Sequence, residues 1–234
     1  MDGVPDSPPY IGPSHVRTYH GAMDPDNDAQ RAPSAPSLSL EALVVGTLDP
    51  VSLDIAPGQV LALSGASGSG KSRLLRAIAD LDDHGGRVRL GGQWQNATQA
   101  HRWRRQVMLV PADSQWWADR VGAHFPAPAT VDWAAAGFTA AVADWEVARL
   151  SSGERQRLAL LRAVAHGPSA LLLDEPTANL DEETTARIEA WLLGLIRTHQ
   201  WPTVWVSHDP AQIARVADHQ ARIRATTLEI GPCR

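Results

Sequence analysis

The feature that most constrains the fold of this chain is a glycine-rich segment that ends in Lys71 and Ser72. Residues 65–72 read G-A-S-G-S-G-K-S and match the pattern G-x-x-x-x-G-K-[ST]. The apolar run at 60–63 predicts a buried strand before the segment, and apolar residues at helical spacing over 74–81 predict a helix after it. A strand, a glycine-rich turn and a helix in this order predict a phosphate-binding loop within an α/β domain.

This segment has a defined chemistry. Its glycines let successive backbone N–H groups face phosphate oxygens, with the positive end of the following helix behind them. A chance match in a glycine-rich turn is the alternative, and the flanking strand and helix favour the loop. We expect Lys71 to reach the β- and γ-phosphates and Ser72 to bind Mg²⁺. The predicted nucleotide-binding residues are Gly65, Ala66, Ser67, Gly68, Ser69, Gly70, Lys71 and Ser72.

Composition narrows the choice of partner and compartment. The 234 residues carry a formal net charge of −5, with 21 basic residues scattered along the chain, which argues against a nucleic-acid partner. The single cysteine, Cys233, allows no internal disulfide, as is common in the cytoplasm. No apolar run reaches the roughly 18 residues of a bilayer span, and residues 1–36 lack the pattern of a secretory signal. We therefore expect a cytoplasmic protein that reaches a membrane only by docking.

The chain divides into a tail and one domain. Residues 1–36 hold seven of the 17 prolines and little apolar periodicity, so they are predicted to form a disordered tail. The domain is predicted over 37–232. Alternating apolar residues at 38–43, 51–55 and 88–90 predict a small antiparallel sheet.

Later apolar runs predict the main sheet. Runs at 107–110, 170–173 and 203–206 are typical of buried parallel strands, and the stripe over 188–195 predicts a helix between the last two. The Ala- and Trp-rich stretch that follows residue 112 predicts a short helical insert at about 113–166. The fold class is therefore α/β, a P-loop core with a mostly parallel sheet covered by helices, a small antiparallel subdomain and a short helical subdomain.

Two carboxylates end the predicted strand at 170–173. The run A-L-L-L-D-E places Asp174 and Glu175 at the carboxyl edge of the sheet, where the phosphate loop also lies. We expect Asp174 to bind Mg²⁺, directly or through water, and Glu175 to orient or deprotonate the attacking water. An acidic pair after a strand also serves as a helix N-cap, and the phosphate loop favours the catalytic interpretation.

A histidine follows the last of these strands. His208 lies two residues after the run at 203–206, in V-S-H-D-P. A lone histidine is usually structural, but the position at the carboxyl end of a core strand favours contact with a γ-phosphate.

Residues 150–157 open an apolar helix with a capping box. Ser151 would accept the amide N–H of Glu154, whose side chain would reach back to the Ser151 backbone. The functional alternative adds an anion at this helix N-terminus.

Taken together, these motifs resemble the ATP-binding cassette family of transporter ATPases over residues 38 to about 232. They occur in the order found in that family: the phosphate loop at 65–72, the signature L-S-S-G-E at 150–154, the carboxylate strand at 170–175, the aspartate loop A-N-L-D at 178–181 and the switch histidine, His208.

The resemblance implies a head-to-tail dimer of two nucleotide-binding subunits, with ATP between the phosphate loop of one and the signature of the other. It adds Ser151, Ser152, Gly153 and Asp181 to the nucleotide-binding residues. It implies an Mg²⁺-dependent ATPase on the inner face of the cell membrane that drives a separate multi-spanning permease. A soluble single-cassette ATPase, such as an iron–sulfur assembly ATPase, is the alternative. A regulatory module without turnover is disfavoured because Lys71 and the candidate catalytic residues are all present.

Three positions depart from the family pattern. The family has an aromatic residue before the phosphate loop that stacks on adenine, whereas residues 44–47 here are V-V-G-T. The glutamine that ends the strand after the loop in the family aligns with Ala112, and Gln115 lies three residues on. Ser152 replaces the first glycine of the signature.

The adjacent Trp116 and Trp117 are either anchors for the membrane partner or core of the insert.

Overall fold

The computed structural model describes residues 35–232. The predicted tail, 1–36, lies outside the described residues apart from its last two positions. Within 35–232 the chain forms ten strands and five α-helices. The strands are β1 (Leu38–Val44), β2 (Val51–Ile55), β3 (Val60–Gly65), β4 (Gly85–Leu90), β5 (Gln93–Trp94), β6 (Val107–Val110), β7 (Ala170–Asp174), β8 (Thr203–Val206), β9 (His219–Arg224) and β10 (Thr227–Pro232). The helices are α1 (Lys71–Ile78), α2 (Ala100–Gln106), α3 (Ser152–Ala165), α4 (Glu182–His199) and α5 (Pro210–Val216).

A six-stranded sheet in the order β10-β9-β3-β8-β7-β6 forms the centre of the domain. Its inner pairs are parallel, as predicted for the apolar runs, and only β10 pairs antiparallel, with β9. Side chains of β7 alternate between two cores: Leu172 packs with α1, whereas Leu171 and Leu173 pack with α3 and α4. Because both faces are covered, the first four residues of β7, 170–173, are all apolar.

The second sheet is antiparallel, in the order β2-β1-β4-β5. This confirms the antiparallel sheet expected from the alternating segments, with Leu38 opposite Ile55 on one side and opposite Leu90 on the other. Its apolar face shares a core with α1. The turn from β1 to β2 therefore lies next to the phosphate loop, and Leu48 in that turn lies 3.5 Å from where a Cβ on Gly70 would be.

The predicted helical insert differs from the expectation over its first part. Residues 121–149 form five short 3-10 helices in this described stretch, and α3 is the α-helix of the segment. Pro126 and Pro128 lack the N–H that an α-helix interior needs, and Gly122 and Gly137 favour turns, so longer helices do not form. The short helices are held by a core of their own against α3, made of Val121, Phe125, Trp133, Ala136, Val142, Leu150, Leu158 and Leu161.

Helices α3 and α4 cover the opposite face of the main sheet from α1. The predicted stripe of α4 is confirmed, since Ile188, Leu192 and Ile196 are buried against β7 and β8. None of the helices in residues 35–232 has both the length and the apolarity that a bilayer span requires.

A buried tryptophan connects α2 to the helix that follows the phosphate loop. The Trp103 side chain is fully buried, and its Nε1–H donates to the carbonyl oxygen of Ile78, 2.8 Å away at the end of α1. The same contact therefore fills the core and satisfies a carbonyl that the helix end leaves free.

We predict that Trp103→Ala lowers the free energy of unfolding by about 3–5 kcal/mol, because it leaves a large cavity and removes the shorter of the two side-chain hydrogen bonds to the Ile78 carbonyl oxygen. Chemical denaturation of the purified chain measures this. His101→Ala, at an exposed position of the same helix, serves as the control and should change stability by less than about 0.5 kcal/mol. Equal stability of the two variants would contradict the packing described for Trp103.

Candidate active site

The phosphate loop curls around the N-terminal end of α1. Gly68 and Gly70 adopt the left-handed backbone conformation, with φ of 76° and 101°, which closes the turn. The Lys71 Nζ donates to the carbonyl oxygens of Gly65 and Ala66, both 3.0 Å away. The ammonium group of Lys71 thus lies across the phosphate loop, where it can contact an anion that binds in the loop. Among the described residues, the buried Ser69 hydroxyl has no hydrogen-bond partner.

The N-terminus of α1 lacks a side-chain cap, as does that of α2, in contrast to those of α3, α4 and α5. Ser151, Asp181 and Asp209 cap α3, α4 and α5 with side-chain oxygens. In residues 35–232 no side chain caps α1, whose N-cap is Gly70. Free amide groups and the positive helix end favour an anion here. This arrangement confirms the local structure predicted for residues 65–72 and suits a phosphate ligand.

Three neighbouring strands bring the remaining polar residues to the same edge of the sheet. β8 pairs with β3 on one side and with β7 on the other, with Val206 opposite both Leu63 and Asp174. Because all three strands are parallel, the phosphate loop, Glu175 and His208 follow at adjacent carboxyl ends. The structure therefore brings together the residues that the sequence placed at this edge.

Glu175 and His208 contact each other directly. The Oε1 of Glu175 lies 3.3 Å from Nδ1 of His208, and the histidine side chain is 72% exposed. Glu175 has a φ of +49°, a conformation that costs a non-glycine residue about 1 kcal/mol or more. A cavity of about 170 Å³ adjoins the pair.

A buried polar network supports this pair, and sequence patterns did not indicate it. The Gln212 Nε2 donates to the hydroxyl of Thr177 at 2.7 Å and to the carboxylate of Glu189 at 2.8 Å. Arg215 donates through two nitrogens to Glu189, each at 3.0 Å. The network connects the loop that follows Glu175 to α4 and to α5, the helix after His208. Its members are distant in sequence, so no local spacing could have indicated it.

The oxygen donors at this edge fit an Mg²⁺ ion bound with a nucleotide. Mg²⁺ takes one or two protein oxygens and completes its shell with phosphates and water. The Ser72 hydroxyl begins α1 at the end of the phosphate loop, and the buried Asp174 carboxylate ends β7 two strands away. Within the described residues no group of three or more histidine, cysteine, aspartate or glutamate side chains is placed to hold a metal ion.

The signature residues form the predicted capping box. The Ser151 N–H donates to Glu154 Oε2 at 2.8 Å, and the Glu154 N–H donates to Ser151 Oγ at 3.2 Å. The Ser151 backbone N–H and then its hydroxyl hold the pKa of Glu154 below its usual value, against the opposing effect of burial. Gly153 lies close to the aspartate loop: a Cβ there would be 3.0 Å from the Asn179 carbonyl oxygen. Ser152 is exposed beside them.

Asp181 is the N-cap of α4. Its Oδ1 accepts the Thr184 N–H and its Oδ2 accepts the Thr184 hydroxyl, both at 2.8 Å. These bonds, led by the backbone N–H, lower the pKa of Asp181. Within residues 35–232, no side-chain hydrogen bond or ion pair connects the signature or Asp181 to the phosphate loop of the same chain. The structure thus forms two groups, one at 65–72 with 174, 175 and 208, and one at 151–154 with 178–181.

A large open cavity is bordered by the first of the two adjacent tryptophans. It measures about 660 Å³, and its lining includes Gln115 and Trp116 but neither Ala112 nor Trp117. Trp117 is 71% exposed, whereas Trp116 is partly buried and packs against both helical cores. Each tryptophan has the Arg162 guanidinium near its ring, at 4.7 Å for Trp116 and 5.0 Å for Trp117. The sequence left two alternatives for these tryptophans, a docking anchor or part of the core. Trp116 is partly in the core, whereas Trp117 lies on the surface.

These features define a class, the P-loop nucleotide-binding α/β domains. Within that class, the sequence model described as "ABC transporter" matches residues 48–178. The chain belongs to the ABC transporter family, as the motif order predicted.

Curated relatives carry the same domain. The aliphatic sulfonates import ATP-binding protein SsuB of Cupriavidus necator is 36% identical over 176 residues, which cover 72% of this chain and 58% of that protein. SsuB 3 of Nocardia farcinica is 38% identical over 178 residues, covering 74% of this chain and 69% of its own length. SsuB 2 of Mesorhizobium japonicum is 36% identical over 192 residues, covering 79% and 76%. The chain thus spans little more than half of the first of these relatives.

A solved structure shares the fold. A bacterial Atm1-family ABC exporter with ATP bound superposes with a TM-score of 0.74 at 26% identity, over 85% of this chain and 39% of that chain. The likeness agrees with the P-loop α/β core and the subdomains described above.

We predict that the capping box makes the stability of the domain depend on pH. Glu154→Gln should lower the free energy of unfolding by about 1 kcal/mol at neutral pH. Because the folded-state pKa of Glu154 is depressed, its contribution is present above the unfolded pKa of about 4.3 and is lost as the pH falls through the folded value. Urea unfolding of both proteins between about pH 7 and pH 3 should show the difference closing. The exposed Glu146→Gln is the control, and a difference that stays constant with pH would contradict the role of the Glu154 charge.

Proposed function

We propose that this chain is the ATP-hydrolysing subunit of an ABC transporter and works with a separate membrane permease. The observation that carries the proposal is the contact of Glu175 with His208 beside an uncapped phosphate loop. Membership of the ABC transporter family and relatives named as import ATP-binding proteins support it. These names favour a transport subunit over the alternative of an iron–sulfur assembly ATPase.

The phosphate loop would hold the triphosphate. Amide groups of residues 65–72 would surround the phosphates, and Lys71 would exchange the loop carbonyls for β- and γ-phosphate oxygens. Ser72 and Asp174 would hold Mg²⁺, which neutralises charge that develops on the phosphates. Each of these residues carries the donor or acceptor atom that its proposed role requires.

Glu175 and His208 would act at the γ-phosphate. The Glu175 carboxylate would orient the attacking water and accept its proton, because it follows β7 at the edge of the sheet that carries the phosphate loop and contacts His208 there. A histidine that carries both ring protons donates to Glu175 and to a phosphate oxygen at once. His208 would thereby connect the carboxylate to the reacting group.

The signature would act on the nucleotide of a second subunit. Ser151, Ser152 and Gly153 form an exposed or half-exposed helix start that is grouped with Asp181 and not with the chain's own phosphate loop. In a head-to-tail dimer this group would close over the ATP of the partner subunit. Hydrolysis would then favour dimer opening, which the permease converts into transport. We propose that transport is import, as in the names of the relatives, and that the permease system selects the substrate.

The cavity lined by Trp116 would receive a cytoplasmic helix of the permease, and the exposed Trp117, next in the chain, would contact that helix outside the cavity. Its lining carries three acidic residues and one basic residue, so a helix end with positive charge would complement it. The acidic residues are Asp113, Asp119 and Glu146, and the basic one is Arg155. The subunit would accordingly lie at the inner face of the cell membrane without entering the bilayer.

We predict that Glu175→Gln binds ATP within about twofold of the wild type and loses at least about 100-fold of its hydrolysis rate with Mg²⁺. The amide keeps the shape of the side chain but cannot accept the proton of the attacking water. Size-exclusion chromatography with ATP should show a stable dimer of the variant. Lys71→Ala is the control that should lose nucleotide binding itself, and undiminished hydrolysis by Glu175→Gln would refute the assignment.

We predict that Trp117→Ala leaves the thermal stability and ATP affinity of the isolated subunit nearly unchanged. Its association with the permease should weaken by about 2 kcal/mol or more, the effect of removing an interface anchor. Trp116→Ala should also destabilise the subunit, because Trp116 packs in two cores. Ile230→Ala, at an exposed apolar position on β10, is the control. Unchanged association of Trp117→Ala, measured on the reconstituted complex, would contradict the docking site.

A further inference from the structure

The two sides of the phosphate loop differ in what they offer a nucleotide. On one side of β3 lie β8 and β7, followed by His208 and Glu175. On the other side lies β9, which runs parallel to β3, so the turn that follows β9 reaches the same edge of the sheet. If the γ-phosphate faces Glu175, the ribose and base extend toward the β9 side. This inference rests on the proposed nucleotide binding.

The turn between β1 and β2 forms the surface on that second side. Asp49 attaches it firmly: its N–H donates to the Thr226 carbonyl oxygen at 2.8 Å, and its carboxylate accepts the hydroxyls of Thr226 and Thr227 at 3.0 and 2.7 Å. Leu48, in the same turn, packs beside Gly70 of the phosphate loop. The turn is therefore held against the loop before any ligand arrives.

No aromatic side chain comes from this turn, since residues 44–48 are V-V-G-T-L. Val45 and Leu48 are buried, so they present little surface to a ligand, and Val44 at the end of β1 is 40% exposed but has no planar face on which a base could stack. What lies over the turn is the guanidinium of Arg73, from the first turn of α1. A Cβ built on Gly46 would lie 2.7 Å from Arg73 Nη1 and 3.1 Å from its Cζ. Gly46, with a φ of +59°, leaves the space that the guanidinium fills.

We propose that the Arg73 guanidinium, seated over Gly46, is the group on which the base of the nucleotide stacks. A guanidinium is planar and weakly hydrated, and it stacks on aromatic rings with an added cation–π attraction. Every nucleobase has such a face, so a stacking platform discriminates little between bases. The site should therefore accept ATP and GTP with similar affinity.

The test separates binding of the base from binding of the phosphates. Isothermal titration of the full chain with ATP, GTP and inorganic tripolyphosphate, each with Mg²⁺, gives three affinities for every variant. Arg73→Ala should weaken ATP and GTP by about tenfold each, and should change tripolyphosphate by less than about twofold. Arg73→Lys should weaken ATP by about fivefold, because the ammonium keeps the charge and loses the planar face. Arg76→Ala removes the same charge one turn further along α1, where the side chain pairs with Asp82, and should leave all three affinities within about twofold.

Each other result overturns the inference. If Arg73→Ala weakened tripolyphosphate as much as ATP, Arg73 would be a phosphate ligand. If Arg73→Lys bound ATP as tightly as the wild type, the positive charge would be sufficient and stacking would not be needed. If Arg76→Ala weakened ATP as much as Arg73→Ala, the loss would be a nonspecific effect of charge. If Arg73→Ala bound ATP as tightly as the wild type, the base would have to bind to a different surface. If the wild-type chain bound neither ATP nor tripolyphosphate, the proposed function itself would fail, which is a separate outcome.

Discussion

The pairing of β3, β8 and β7 as parallel neighbours is the constraint on which the site depends. Neighbouring strands lie about 4.8 Å apart, so the ends of three strands span about 10 Å. The phosphate loop, His208 and Glu175 therefore lie within about the length of a triphosphate of one another. The loop itself makes no direct contact with the pair formed by Glu175 and His208. Residues more than 100 positions apart in sequence meet because their strands share a register, with Val206 opposite Leu63 and Asp174.

The N-termini of the helices serve two different purposes in this domain. α3 and α4 each satisfy one of their first amides with a side-chain cap, Ser151 and Asp181, which stabilises these helix ends without a ligand. The start of α1 is left to Gly70, and its amides remain available to a ligand. Ligand binding at α1 and structural stability at α3 and α4 therefore use the same physical interaction, the pairing of free helix amides with oxygen.

Much of the fold and candidate site could be predicted because the signals are local. The phosphate loop, the strand that ends in Asp174, and the capping box at Ser151 each occupy one short run of sequence. The network around Gln212 and the contact of Arg73 with Gly46 could not be found this way, since tertiary packing alone brings those residues together. β9 was missed because only Ala221 and Ile223 of its six residues are buried. The helical insert consists of short 3-10 helices before α3, and not of longer α-helices, because proline and glycine interrupt that stretch. The functional roles of the site residues remain predictions.

The backbone conformation of Glu175 has a consequence for how this protein can change. A residue with φ of +49° is held in place by its neighbours and gives up about 1 kcal/mol of conformational free energy. Glycine or asparagine at this position would relieve the strain and raise the melting temperature, but would remove the carboxylate that faces His208. Selection for thermostability alone would therefore select against the carboxylate that we propose to be catalytic, so the proposed activity and stability are in direct competition at this one position.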